Sequence, residues 1–109
     1  MPNAHDSACV VLITAPDLSA AQKLARTVLE QKLAACVNII PGITSLFWWQ
    51  NKIDEQTEVL LVSKTVRAKV SALIAAVKQA HPYEVPEIIA LPIVEGSEDY
   101  LRWVRDSVA

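Results

Sequence analysis

A chain of 109 residues with 52% apolar and 20% charged side chains fits one domain, 1–109, yet a domain of this size buries only about two-thirds of its unfolded surface and leaves apolar area to cover. A net charge of -2, a pI near 5.6 and no basic cluster denser than Lys64 to Lys69 exclude the electrostatic footprint of a nucleic-acid partner. No apolar stretch approaches the roughly 20 residues that span a bilayer, and the first residues lack a signal pattern, so no membrane association and a cytoplasmic location are expected.

Residues 1–8 read as a flexible N-terminus. Cys9 to Thr14 is an apolar run rich in β-branched residues, closed by Ala15-Pro16-Asp17, which predicts a buried strand and a turn. Leu18 to Gln31 sets Ala21, Leu24, Ala25, Val28 and Leu29 on one helical stripe, with Asp17 or Ser19 as cap. Ala34 to Trp49 is β-prone again, and Pro41-Gly42 within it predicts a bulge or bend in one long strand. Gln50-Asn51-Lys52 supplies a turn, and Glu55 to Thr65 returns as the second arm of a long hairpin. Val66 to Ala80 carries Val66, Val70, Leu73, Ile74 and Val77 on one helical face until His81-Pro82 stops it. Val85 to Val94, punctuated by Pro86 and Pro92, predicts a last strand. Ser97 then caps a short helix carrying Tyr100, Leu101, Val104 and Val108. The expected class is α+β: a ferredoxin-like βαββαβ sandwich with an extended hairpin between its second and third strands and a C-terminal helix.

That arrangement places both main helices on one sheet face. A sheet wet on its other face alternates apolar and polar residues, but Val10-Val11-Leu12-Ile13, Val59-Leu60-Leu61-Val62 and Ile88-Ile89-Ala90-Leu91 are apolar at both parities. The sixteen residues from Ala34 to Trp49 reach roughly 50 Å at strand rise, more than a domain of this size is wide, so the hairpin must bend or project. Its end carries Phe47, Trp48 and Trp49, too much aromatic surface to leave in water. Another subunit is the simplest cover.

Leu33-Ala34-Ala35-Cys36-Val37-Asn38, Ile40-Pro41-Gly42-Ile43-Thr44-Ser45, Trp48-Trp49, Lys64-Thr65, His81-Pro82-Tyr83-Glu84-Val85-Pro86-Glu87 and the closing Tyr100-Leu101-x-Trp103 resemble the CutA divalent-cation tolerance family, from about Val10 to Val104. The resemblance implies a homotrimer whose long hairpins extend the sheets of neighbouring subunits, similar in design to the PII signalling proteins. It also implies a link to tolerance of copper and other divalent metals, with copper bound by some members. The first-strand cysteine and the second, adjacent histidine that some copper-binding relatives use correspond here to Ile13 and Ala80.

Candidate metal ligands are His81, Cys36 and Glu87. His81, at the end of the second helix, offers an imidazole to a metal, or interacts with the negative end of the helix dipole. Cys36 is a soft donor suited to copper(I), or a small buried hydrophobe in its Ala-Ala-Cys-Val run. Cys9 lies nearby on the first strand; without a signal peptide, both cysteines read as reduced thiols. His5, near the N-terminus, is expected to play no part.

Glu87 shares parity with Ile89 and Leu91, and Glu58 and Lys64 share it with Leu60 and Val62. Charges on an apolar face serve either as ion pairs that fix register or as a ligand site in an intersubunit cleft. Trp49, Tyr83, Tyr100 and Trp103 line such a cleft or simply pack the interface. The chain shows no nucleophile elbow, Walker loop or GxGxxG turn, so a non-enzymatic role is expected. The first functional reading is a trimeric, metal-binding tolerance protein. The alternatives are a PII-like module holding a small anion or metabolite, and a trimeric scaffold for other proteins.

Overall fold

The β-branched run near the N-terminus forms β1, Ala8–Ala15, in a computed structural model that describes residues 6–109, so His5 lies outside the described residues. Asp17 then starts α1, Leu18–Glu30: its carboxylate accepts from the Ala20 N–H at 2.8 Å, satisfying one of the helix's orphan donors. The chain returns as β2, Cys36–Trp49, turns at Gln50-Asn51 and runs back as β3, Lys52–Val66. Both turn residues have positive φ, 50° and 63°, the left-handed geometry that matches the twist of a two-residue hairpin. Helix α2 spans Arg67–Ala80, β4 Ile88–Pro92 and α3 Glu98–Ser107.

The strands form one sheet in the order β2-β3-β1-β4, every neighbour antiparallel, which is the ferredoxin-like topology. β3 starts at Lys52 rather than Glu55, because the tight turn pairs Trp49 with Lys52 and brings Lys52, Ile53 and Asp54 into the ladder. β4 is shorter than Val85 to Val94. Pro86 has no N–H to donate and disfavours regular continuation, so residues 82–87 bend over the sheet end and pairing starts at Ile88. Ser97 occupies the N-cap of α3, but its hydroxyl makes no capping bond; Glu98 and Asp99 supply the negative charge that a first turn favours.

The hairpin gives the molecule its long axis, 48 Å against 26 and 22 Å. Between Ile40 and Ile43 its register shifts by one residue, at Gly42 with φ 77°, a conformation that Cβ-bearing residues avoid. On one sheet face Val11, Ile13, Val59 and Leu61 pack with Ala21, Leu24 and Val28 of α1 and Leu73 and Val77 of α2. The other face carries three cross-strand rows: Leu91, Val10, Lys64 and Cys36; Ile89, Leu12, Val62 and Asn38; Thr14, Leu60 and Ile40. Helix α3 covers only one end of it, where Val104 and Val108 bury Val66. Among the described residues no helix is long and apolar enough to cross a membrane.

Candidate functional site

The open face ends in two polar corners. At the first, His81 is the C-cap of α2, and its own N–H closes the helix on the Val77 carbonyl at 2.8 Å. Its ring reaches β1, with Nε2 2.7 Å from the Thr14 carbonyl oxygen, while the Tyr83 N–H donates to Nδ1 at 3.0 Å. A carbonyl only accepts, so Nε2 carries the proton and Nδ1 presents its lone pair: the ring is a neutral imidazole with both nitrogens engaged. It ties the end of α2 to β1 rather than facing solvent.

Tyr83 stacks obliquely on His81, ring centres 4.9 Å apart, and its hydroxyl donates to Glu58 Oε2 at 2.8 Å. Burial, the hydrogen bond to Glu58, and the negative charges of Glu58 and Asp17 push the Tyr83 phenol up to about 12. Glu58 is 7% exposed and lies on β3 opposite Ile43, just past the bulge. Glu87 shares none of this: it is exposed and stands ahead of β4.

At the second corner Cys36 faces Lys64 across the β2–β3 ladder, and Val10 flanks Lys64 on β1. The Lys64 ammonium donates to the Asn38 side-chain oxygen. Tyr100 of α3 reaches over to the Cys36 thiol; burial, then the neighbouring thiolate charge and the hydrogen bond, raise its phenol. Trp103 stacks on Tyr100 at 5.6 Å, and both rings are nearly half exposed. Cys9 points the other way. Its partner Thr65 is adjacent to Lys64 and therefore on the opposite face, so Cys9 and Cys36 cannot form a bond with each other. Burial raises the Cys9 thiol, and the nearby Arg67 charge works against that rise.

The corners are separate. Val10 and Thr14 are four residues apart on β1, about 13 Å at strand rise, and that spacing divides Cys36 from His81. Trp49 lies at the hairpin tip, away from both. Among the described residues no three or more His, Cys, Asp and Glu side chains converge. Ile13 is fully buried beneath the helices, and Ala80 is exposed at the end of α2. The candidate residues thus divide into His81, Tyr83 and Glu58 at one end and Cys36, Lys64, Tyr100 and Trp103 at the other. Two further groups, the Asn38 amide and the Thr14 carbonyl, complete the corners. Asn38 shares parity with Cys36, which is a readable signal; the carbonyl has none.

Residues 9–107 match the family model of the CutA1 divalent ion tolerance protein. The chain is 47% identical over 109 residues to the divalent-cation tolerance protein CutA of Yersinia pestis, covering 98% of this chain and 92% of that one. Among solved structures, the divalent cation tolerance protein Cut A1 of Thermus thermophilus superposes with a TM-score of 0.90 at 48% identity, covering 92% of this chain and 97% of that one. CutA1 from Oryza sativa superposes at 0.91 with 44% identity, covering 96% of each. A CutA described as periplasmic, from Archaeoglobus fulgidus, superposes at 0.91 with 42% identity, covering 94% of this chain and 99% of that one. With its ferredoxin-like sheet, its long hairpin and agreement over nearly its whole length, the chain belongs to the CutA1 divalent ion tolerance protein family.

Proposed function

We propose that this chain serves divalent-cation tolerance as a homo-oligomer, the trimer that its resemblance implies, and takes copper or another divalent cation where copies meet. The observation that carries this reading is the separation of its donors, with Cys36 at one corner of an uncovered apolar face and His81 and Glu58, each bonded to Tyr83, at the other. One copy brings too few donors to any point, and a neighbour laid on that face supplies more. Cys36 is the lead ligand. Glu87 is an exposed carboxylate able to join it from another copy, and His81 ligates only by giving up the Tyr83 N–H. The role is binding rather than catalysis, since the imidazole best placed for acid–base work spends both nitrogens on backbone groups. A cytoplasmic location fits a chain whose two cysteines are both free thiols.

Titration calorimetry with copper(I) and copper(II) tests the reading, together with sedimentation of the wild type. A Cys36→Ser variant is expected to bind copper(I) at least ~10-fold more weakly. Unchanged affinity in both Cys36→Ser and His81→Ala removes the metal assignment.

A second reading, a PII-like module for a small anion, draws on Lys64, which has an amide and no carboxylate as partner among the described residues. A thermal-shift screen of metabolite anions in which none raises the midpoint argues against it.

A further inference from the structure

Resting on the homo-oligomeric reading above, we propose that Lys64 of one copy pairs with Glu58 of the next, so that each open face carries both halves of a charge lock between copies. Both side chains sit on β3 at the same parity, with Leu60 and Val62 between them. Six residues along one strand set them about 20 Å apart, so they cannot meet within a chain. Each is underpaired where it stands. Glu58 is 7% exposed and has one neutral donor, the Tyr83 hydroxyl; Lys64 is partly buried and has one neutral acceptor, the Asn38 amide. The only ion pair among the described residues is Arg102–Asp99, exposed on α3.

The surface between the two charges is mostly apolar: Leu60 beside Ile40 and Thr14, and Val62 beside Asn38, Leu12 and Ile89. A second copy seated there excludes water from both ends at once. An ammonium and a carboxylate stripped of water are tolerated only when paired. A head-to-tail contact repeated around a ring uses each Lys64 and each Glu58 once and leaves no charge over. The pair thereby sets the register of copies on a face whose apolar rows alone would tolerate sliding.

Because sites this far apart in one chain contribute additively, a double-mutant cycle reads the contact through another copy. Wild type, Lys64→Met, Glu58→Gln and the double variant are compared by sedimentation in a guanidinium series, with circular dichroism as the check on folding. Each single change is expected to weaken assembly about thirty-fold or more, with the double variant no worse than the weaker single within about three-fold. A double variant that shows the product of the two losses overturns the pair. Should Glu58→Gln fail to fold, Lys64→Arg against Lys64→Glu decides, with assembly kept by the first and lost by the second; equal behaviour overturns it. Stabilisation of the wild type by inorganic phosphate that Lys64→Met abolishes also overturns it, because Lys64 is then the seat of a small anion. A wild type that sediments as a monomer at micromolar concentration is a different failure, that of the homo-oligomeric reading itself, and the pair falls with it.

Discussion

On the helix-covered face Val11, Ile13 and Leu61 are fully buried, whereas Ile89 and Leu91 on the open face remain about half exposed, at 48% and 47%. Leu12, Leu60 and Val62 lie between those extremes. The side chains are of the same kind, and what separates them is connection. Both βαβ crossovers turn with one hand, so α1 and α2 settle on one side of the sheet and the chain has only the short α3 left for the other. Composition sets how much apolar surface needs a cover; topology decides which part the chain covers by itself.

The sharpest way to break this comparison is to truncate neighbouring residues that face opposite ways. Leu61→Ala, in the helix-covered core, is expected to cost about 2–5 kcal/mol, with the chemical-unfolding midpoint lowered at every protein concentration. Val62→Ala should act chiefly through assembly, steepening the dependence of that midpoint on protein concentration. If both variants lose the same stability regardless of concentration, the two faces are not different in kind.

His81→Ala probes the corner where helix end and open face join. It strands the buried Thr14 carbonyl and the part-buried Tyr83 N–H, a loss of about 2–3 kcal/mol by urea unfolding. An exposed ring held only as a spare ligand would cost almost nothing. Tyr83→Phe removes the one hydrogen-bond donor to the Glu58 side chain found among the described residues and is expected to cost about 1–2 kcal/mol.

Tyr83 also sets a pH dependence. Its folded phenol, at about 12, lies above the unfolded value of 10.0, so its contribution is complete below pH 10 and is lost as pH rises towards 12. Unfolding midpoints between pH 9 and 12 should fall for the wild type and fall less for Tyr83→Phe. Equal slopes would detach Tyr83 from Glu58. An effect no larger than that of Tyr83→Phe is expected at the bulge, where Gly42→Ala meets no atom within 4 Å but must hold φ 77°, a backbone cost of about 1–2 kcal/mol in thermal unfolding.

Most of the fold was legible because its signals are local: the Asp17 cap, the α1 stripe, the Pro41-Gly42 interruption and the proline after His81 each act within a few residues. The ends of β3 and β4 were less so. Lys52 and Asp54, on either side of Ile53, join the sheet through the turn rather than through any β-prone character, and Val85 leaves it because of Pro86. Parity alone set Glu58 and Lys64 on one face with Leu60 and Val62. The distance between Cys36 and His81 was not readable, since it depends on the register of three strands and on an imidazole that binds a carbonyl 67 positions earlier in the chain. A backbone oxygen has no letter in the sequence.

The one-residue slip at Pro41-Gly42 gives the hairpin arm a frame of its own. Before it, the even-numbered residues Cys36, Asn38 and Ile40 share the open face; beyond it that face belongs to the odd-numbered Ile43, Ser45, Phe47 and Trp49, with Leu46 and Trp48 on the reverse. Deleting a single residue here would leave the arm as long as before to within one step, yet present the wrong aromatic rings on each side. Arms of this kind can therefore lengthen or shorten in whole pleats, two residues per strand, while the bulge itself stays fixed as the point from which the pattern is counted.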